Sequence, residues 1–305
     1  MELIIATRES PLALWQAHHV QAKLRDAHPD LQVTLLPMTT EGDQKLEGPL
    51  YTSGGKGLFV KELEKALLDG RAHLAVHSLK DVPVHFPEGL GLVGVMQGED
   101  PRDAFVSNDY DEFGQLPAGA VVGSASLRRV SQLKHLRPDL EFKVVRGNLQ
   151  TRLRKLDEGQ YDALILAVAG LERMGLAERI AQHLHEDDCL PAVGQGVLGL
   201  EARLDDPETL SRIQCLLHEP TAQRVAAERG VSTRLDGGCQ VPLAVHGQFV
   251  QGELRVRARV GAVDGSRVIE VETQGPPAQA ADMGLALAEQ LLADGAAELL
   301  AGTLE

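Results

Sequence analysis

Residues 2–38, ELIIATRESPLALWQAHHVQAKLRDAHPDLQVTLLPM, decide the fold class. The opening run ELIIA is short, apolar and isoleucine-rich, as a buried strand is. Ser10 then stands where a helix N-cap is wanted and Pro11 at the first helical position, so SPLALWQAHHVQAKLRDAH is predicted as a helix. LQVTLLPM follows as a second strand and completes a β-α-β unit. Working outward, FVKELEKALLDG (59–70) predicts a helix with Val60, Leu63 and Leu67 on one face. AHLAVH (72–77) is the next strand and runs into the polar loop SLKDVP.

The middle of the chain repeats this plan. AVVG (120–123), EFKVV (141–145) and YDALILAVA (161–169) read as strands, with helices beginning at SASLRRVSQLKHL and NLQTRLRKLDEG between them. Two short echoes point to a duplicated architecture: HPDL (28–31) with RPDL (137–140), and LLDGRAHLAVH (67–77) with LDEGQYDALILA (156–167). The last third differs. ELRVRARVGAVDGSRVIEVET (253–273) alternates with period two around a glycine-containing turn, as a hairpin does, and two helical runs follow it. The reading is therefore an α/β protein: two β-α-β lobes and a smaller α+β domain at the C-terminal end.

Composition narrows the function. The 305 residues carry 44 acids against 30 bases, a net charge of −14, and only 3% aromatics. Neither a nucleic-acid-coating role nor a stacking platform for single strands fits those figures. No run approaches the roughly 20 apolar residues of a membrane span. The stretch MELIIATRES carries acid and base too early for a secretory signal, so a cytoplasmic address is expected. Three widely spaced cysteines, Cys189, Cys215 and Cys239, indicate neither a disulfide framework nor a metal site. Within the acidic whole lies one basic island. From Gly123 to Lys155 there are nine Lys or Arg against two acids, which predicts a local site for a small anionic ligand.

Three strand ends run into helix starts through similar polar loops: Arg8–Ser10, Ser124–Arg129 and Arg146–Asn148. Ligands of open α/β sheets bind beyond the carboxyl ends of strands, where helix N-termini and arginines suit carboxylates. Taken singly, Ser10, Ser124 and Asn148 are equally well read as helix caps; together the loops favour an anion site. SGGKGLF (53–59) fails as a phosphate loop, because Gly57 stands where Ser or Thr is required, and reads better as a glycine-hinged basic loop around Lys56. Lys80 and Asp81 stand at a strand end, where working side chains collect, although a turn-shaping role for Asp81 explains the spacing as well. His77 beside them reads as a packing residue. Arg173 and Gln195 sit in the glycine-rich segments GLERMG and PAVGQG, which could line a cleft or simply connect elements. Cys239, in RLDGGCQVP (234–242), is an accessible thiol on a glycine-flanked loop, with His246 the nearest histidine; Cys189 and Cys215 read as passive. On residues alone, a two-lobed anion binder and a thiol-dependent acyltransferase stay open beside an enzyme that uses Cys239 as an anchor.

ATRESPLALWQA, GGKGLFVKELE, AVHSLKDVP, EDPRDAFVS, GSASLRR, DALILAVAGLERMG, LPAVGQG and RLDGGCQVP, in this order, resemble the porphobilinogen deaminase family along essentially the whole chain. The resemblance implies a monomeric transferase of porphyrin and haem biosynthesis. Such an enzyme joins four porphobilinogens head to tail with loss of ammonia, and water then releases hydroxymethylbilane. It implies a dipyrromethane cofactor held through a thioether to Cys239, with Asp81 as the catalytic aspartate. Cofactor and substrate would meet Arg8, Ser10, Lys56, Ser78, Lys80, Ser124, Ser126, Arg128, Arg129, Arg146, Arg152, Arg173 and Gln195; no metal, nucleic acid or membrane is implied. Each pyrrole brings an acetate and a propionate, about two negative charges per unit near neutral pH, which accounts for the basic island. The first two domains would resemble the lobes of periplasmic binding proteins. By matching, lobe 1 spans 1–98 and 193–216, lobe 2 spans 99–192, and the C-terminal domain spans 217–305 and carries the cofactor cysteine. The chain departs from the family at Thr52, where many bacterial relatives have lysine, and at Ser124-Ala125, where GTSSLRR is common.

Overall fold

The computed structural model describes residues 2–44, 57–235 and 241–301. The chain begins with β1 (Glu2–Arg8), α1 (Pro11–Ala27), β2 (Gln32–Met38), a single turn α2 (Glu41–Gln44), α3 (Lys61–Leu68), β3 (Leu74–Ser78) and β4 (Leu90–Val95). It continues through β5 (Asp103–Val106), β6 (Val121–Gly123), α4 (Leu127–Leu136), β7 (Glu141–Lys143), α5 (Leu149–Asp157), β8 (Ala163–Ala167), α6 (Val168–Arg173) and β9 (Gln182–His183). The remainder is β10 (Leu198–Arg203), α7 (Pro207–Arg212), α8 (Glu219–Arg234), β11 (Leu243–Val250), β12 (Glu253–Gly261), β13 (Val268–Gly275), α9 (Ala280–Ala293) and α10 (Ala296–Ala301). Among the described residues no helix is long and apolar enough to cross a membrane. They fall into two compact units, residues 2–44, 57–99 and 197–222 in the first, and 100–196 with 223–235 and 241–301 in the second.

The first unit is built on a five-stranded sheet in the order β2-β1-β3-β10-β4. β2, β1 and β3 run parallel and β10 runs antiparallel to β3 and β4. Alternate residues of β1 point to opposite faces. Leu3 and Ile5 pack under Ala17, Val20 and Leu24 of α1, whereas Ala6 packs under Leu63, Ala66 and Leu67 of α3. A sheet covered on both faces explains why its strands read as nearly unbroken apolar runs. Ser10 caps α1 as predicted, its Oγ accepting from the Ala13 N–H at 3.4 Å.

The second unit contains a sheet of the same plan, β7-β6-β8-β5-β9, again with three parallel strands and an antiparallel fourth. The sequence echoes sit at equivalent places in the two sheets. His28 and Arg137 are both C-caps, with φ,ψ of −135°, 79° and −133°, 76°. In both motifs the following leucine, Leu31 or Leu140, donates its N–H back to that residue's carbonyl and is buried.

The same unit holds a three-stranded antiparallel sheet, β11-β12-β13, backed by α8, α9 and α10. Leu254, Val256, Ala258 and Val260 of β12 face this core, while Arg255 and Arg257 on the other face pair across the ladder with Glu272 and Glu270. α8 and α9 cross so closely at Gly284 that a Cβ there would lie 2.2 Å from the Ala227 carbonyl oxygen. The predicted hairpin is therefore two strands of three. β11 and α8 were not legible as elements, α8 because EPTAQRVAAERGVSTR shows no clear apolar stripe.

Candidate active site

The carboxyl ends of β1 and β3 in the first unit open on a cleft lined by Arg8, Ser10, Gln16, Phe59, Ser78 and Asp81, among others. Each is placed by a local necessity. Arg8 is the last residue of β1 and Ser10 the cap of α1. β3 ends at Ser78 and passes at once into a 3-10 turn, Leu79–Asp81, that is closed by the Val82 N–H on the Leu79 carbonyl. Leu79 is buried, so the turn is anchored by one apolar side chain, with Lys80 and Asp81 left half-buried at its surface.

Arg8 is held before any ligand arrives. Its guanidinium lies 4.3 Å from the centre of the Phe59 ring and makes a bidentate pair with Asp43 through Nε and Nη2. Asp43 is fixed in turn by the Thr40 hydroxyl at 2.7 Å. Burial pushes the Asp43 carboxyl up, but the bonds from Arg8 and Thr40 outweigh it and hold the group below the usual range. Ser78 Oγ accepts from Gln16 Nε2 at 2.8 Å, which ties the strand end to α1. The first turn of α1 contains no acid, so its N-terminal dipole is not cancelled locally.

In the second unit the arginine pair of GSASLRR is buried and turned onto Asp103. Arg128 Nη1 lies 2.7 Å from one carboxylate oxygen, and Arg129 Nη2 and Nε lie 2.7 and 2.9 Å from the other. Gln195 Nε2 donates to Asp103 at 2.9 Å, and Cys189 donates its S–H at 3.3 Å. Burial alone would raise the Asp103 carboxyl, yet the two guanidinium charges drive it far below the ordinary carboxylate range. Burial and the neighbouring Asp103 push the Cys189 thiol up to about 12, so it is not a nucleophile at neutral pH. Arg128 Nε has no hydrogen-bond partner among the described residues.

Further predicted residues belong to this unit. Arg173 donates to the Gly196 carbonyl at 3.0 Å, next to Gln195. Arg152 Nε donates to the Gly147 carbonyl at 2.9 Å, beside Arg146, whose pKa is lowered by burial. Asn148 caps α5 through the Thr151 N–H at 2.9 Å. Ser124 is not the cap of α4. Ser126 occupies that position, and Ser124 Oγ accepts the Ser126 N–H at 3.2 Å. Three residues separate the end of β6 from the first residue of α4, which leaves room for this extra turn. Cys239, Lys56 and Thr52 lie outside the described residues. His246 has both ring nitrogens toward carboxylates, Nδ1 3.4 Å from Glu228 and Nε2 3.6 Å from Glu186. Sequence reasoning missed Asp103, Asp43 and Phe59. The one available signal was an aspartate opening the otherwise apolar strand DAFV.

Solved structures similar to this chain include periplasmic binding proteins. A substrate-binding protein of an ABC transporter from Coxiella burnetii superposes with a TM-score of 0.46 at 15% identity, over 74% of this chain and 96% of that one. A nutrient-binding protein from Burkholderia cenocepacia bound to methionine gives 0.43 at 10%, over 70% and 91%. Such scores carry no argument about ligand or activity. Sequence-family models do. The dipyrromethane cofactor binding domain of porphobilinogen deaminase matches residues 3–211, and the C-terminal domain of porphobilinogen deaminase matches residues 222–293. With more than half of the chain covered by the first match alone, the protein belongs to the porphobilinogen deaminase family.

Proposed function

We propose that Asp81 is the catalytic carboxylate of this deaminase and that Cys239 carries its cofactor. The reaction is the family's: four porphobilinogens are joined head to tail on a bound dipyrromethane, one ammonia is lost at each step, and hydroxymethylbilane is released by water. The enzyme is a cytoplasmic transferase of tetrapyrrole synthesis. The dipyrromethane, when bound, supplies the pyrrole carbon that begins the chain. The observation that carries the residue assignment is the convergence of Arg8, Ser10, Ser78 and Asp81 on one cleft.

This donor set fits a pyrrole with two carboxylate arms. Asp43 occupies Nε and Nη2 of Arg8, which leaves Nη1 for a ligand carboxylate. The fork is already oriented by Phe59 and Asp43, so little side-chain freedom is lost on binding. Ser10 and the acid-free first turn of α1 add hydroxyl and N–H donors for the same charge. Asp81 is the acceptor of the set: it can take pyrrole N–H bonds, and its charge opposes the positive charge that develops as ammonia departs. In the second unit Arg128, Arg129, Arg146, Arg152 and Arg173, with Ser124, Ser126 and Gln195, would hold the acetates and propionates; Lys80 of the first unit, and Lys56, which lies outside the described residues, would add to this role.

The intact mass of the purified protein, followed by peptide mapping, tests the anchor. The expected increment equals two porphobilinogen units less two ammonias, on the peptide that contains Cys239. An increment on Cys215, or an unmodified protein that gains nothing from porphobilinogen, would remove the assignment.

A further inference from the structure

Beneath the Asp81 cleft three ionisable side chains are buried in what is otherwise an apolar layer between the first sheet and α3. His77 Nε2 lies 2.8 Å from Glu201 Oε2, with side-chain exposures of 4% and 0%. This bond crosses from β3 to β10, one residue before Ser78. Glu201 is aimed there from a β-bulge, the register of β10 against β4 shifting between Leu200 and Glu201. Its second oxygen, Oε1, is buried without a hydrogen-bond partner among the described residues. Glu64 of α3 is also buried, and the charges of Glu201 and His77 act on it. Two carboxylates and an imidazole in a layer built from Leu63, Ala66, Leu67 and Ala75 are costly to desolvate, and nothing in the anion-binding role uses them.

We propose that His77, Glu201 and Glu64 form a buried electrostatic layer for the known reaction, in which Glu64 sets the charge beneath the site and His77 is a positioning residue for the strand end that carries Ser78 and Asp81. This rests on the assignment of Asp81. His77 lines the cleft, and the Leu79 N–H bonds the Val197 carbonyl, so β3 is pinned to the segment entering β10 on both sides of Ser78. Burial first, and the Glu201 charge second, raise the Glu64 carboxyl to about 7. Glu64 therefore gains its charge near neutral pH. The charges facing Glu64 are His77 on β3, Glu201 on β10, and Lys61 and Glu62 on its own helix. β4, LGLVGV, contributes none. Glu2 and Arg8 stand at the two ends of β1, and Arg203 of β10 is turned to the Leu67 and Ala72 carbonyls.

Ionisation of Glu64 adds negative charge beneath a site whose transition state is cationic, so kcat should rise through this range. Substrate carboxylates and amine titrate well away from it. The test is kcat and KM of the holoenzyme for porphobilinogen from about pH 5.5 to 8.5. A limb of kcat near pH 7 is expected in the wild type and should vanish in Glu64→Gln, with KM unmoved. Glu64→Asp, which keeps the carboxyl, should shift the limb without erasing it. A wild-type profile flat through pH 7, or an unshifted limb in both variants, overturns the proposal. Asp81→Asn separates the two readings: if it keeps full activity while Glu64→Gln still loses the limb, the Asp81 assignment fails and the layer stands.

Discussion

Asp81→Asn should lower kcat by about 10²–10³ and change KM for porphobilinogen by no more than a few-fold. Asparagine keeps the size of the side chain and one acceptor oxygen, so the turn Leu79–Asp81, anchored by buried Leu79, should survive the change. What is lost is the charge. An electrostatic contribution to a transition state in a partly desolvated site is worth roughly 3–4 kcal/mol, and each 1.36 kcal/mol is tenfold in rate. In the proposed site the carboxylate arms are held in the ground state by Arg8, Ser10 and the helix end rather than by Asp81, which is why KM should hold. Asp81→Glu, with the charge displaced by one methylene, should fall between the two. Steady-state and single-turnover kinetics of the primed enzyme decide the matter. A variant with unaltered kcat and a raised KM would make Asp81 a binding residue only.

Asp103→Asn should cost the second unit about 3–5 kcal/mol, the usual penalty for removing one partner of a buried ion pair. The loss is large because one carboxylate compensates two guanidiniums, Arg128 and Arg129, that are themselves buried. Asparagine would leave both charges without a counter-ion, and, with one oxygen replaced by an NH2 group, it would take the acceptor from either Gln195 or Cys189. Thermal or urea unfolding followed by a signal from this unit measures the effect, and a midpoint within a degree of the wild type would show that the network contributes little. The pH dependence has a definite sign. The folded-state pKa of Asp103 is depressed, so its contribution is fully present above the ordinary carboxylate range and is lost only as the pH falls far below it. Glu64 behaves oppositely. Its pKa is raised to about 7, so its contribution is complete below the ordinary range and is lost as the pH rises through 7.

The fold was legible where the chain obeys local rules. Ser10 and Pro11 announced α1, and the period-two run at 253–273 announced β12 and β13. Val60, Leu63 and Leu67 are buried as the helical spacing of α3 required. α8 was hidden because its buried side includes Glu228, a charged residue that satisfies itself with the Gly194 and Gly247 N–H groups from distant parts of the chain. Of the candidate site, only the place of single residues in the chain was legible. Arginines at strand ends are visible in one dimension, but their counter-ions are not: Asp43 lies 35 residues from Arg8, and Asp103 lies 26 from Arg129. No local pattern marks a carboxylate as the partner of a particular guanidinium. The same limit concealed Glu201, which is 124 residues from His77.

The thiol of Cys189, shut in against Asp103, is also a built-in reporter. An alkylating reagent meets exposed Cys215 in the native protein, whereas it reaches Cys189 only in molecules whose second unit has opened. The ratio of the two labelling rates, read peptide by peptide, gives the opening equilibrium of that unit in ordinary buffer without denaturant. A ligand that tightens the arginine network would slow the Cys189 reaction alone, so occupancy of the second unit could be followed by mass at Cys189.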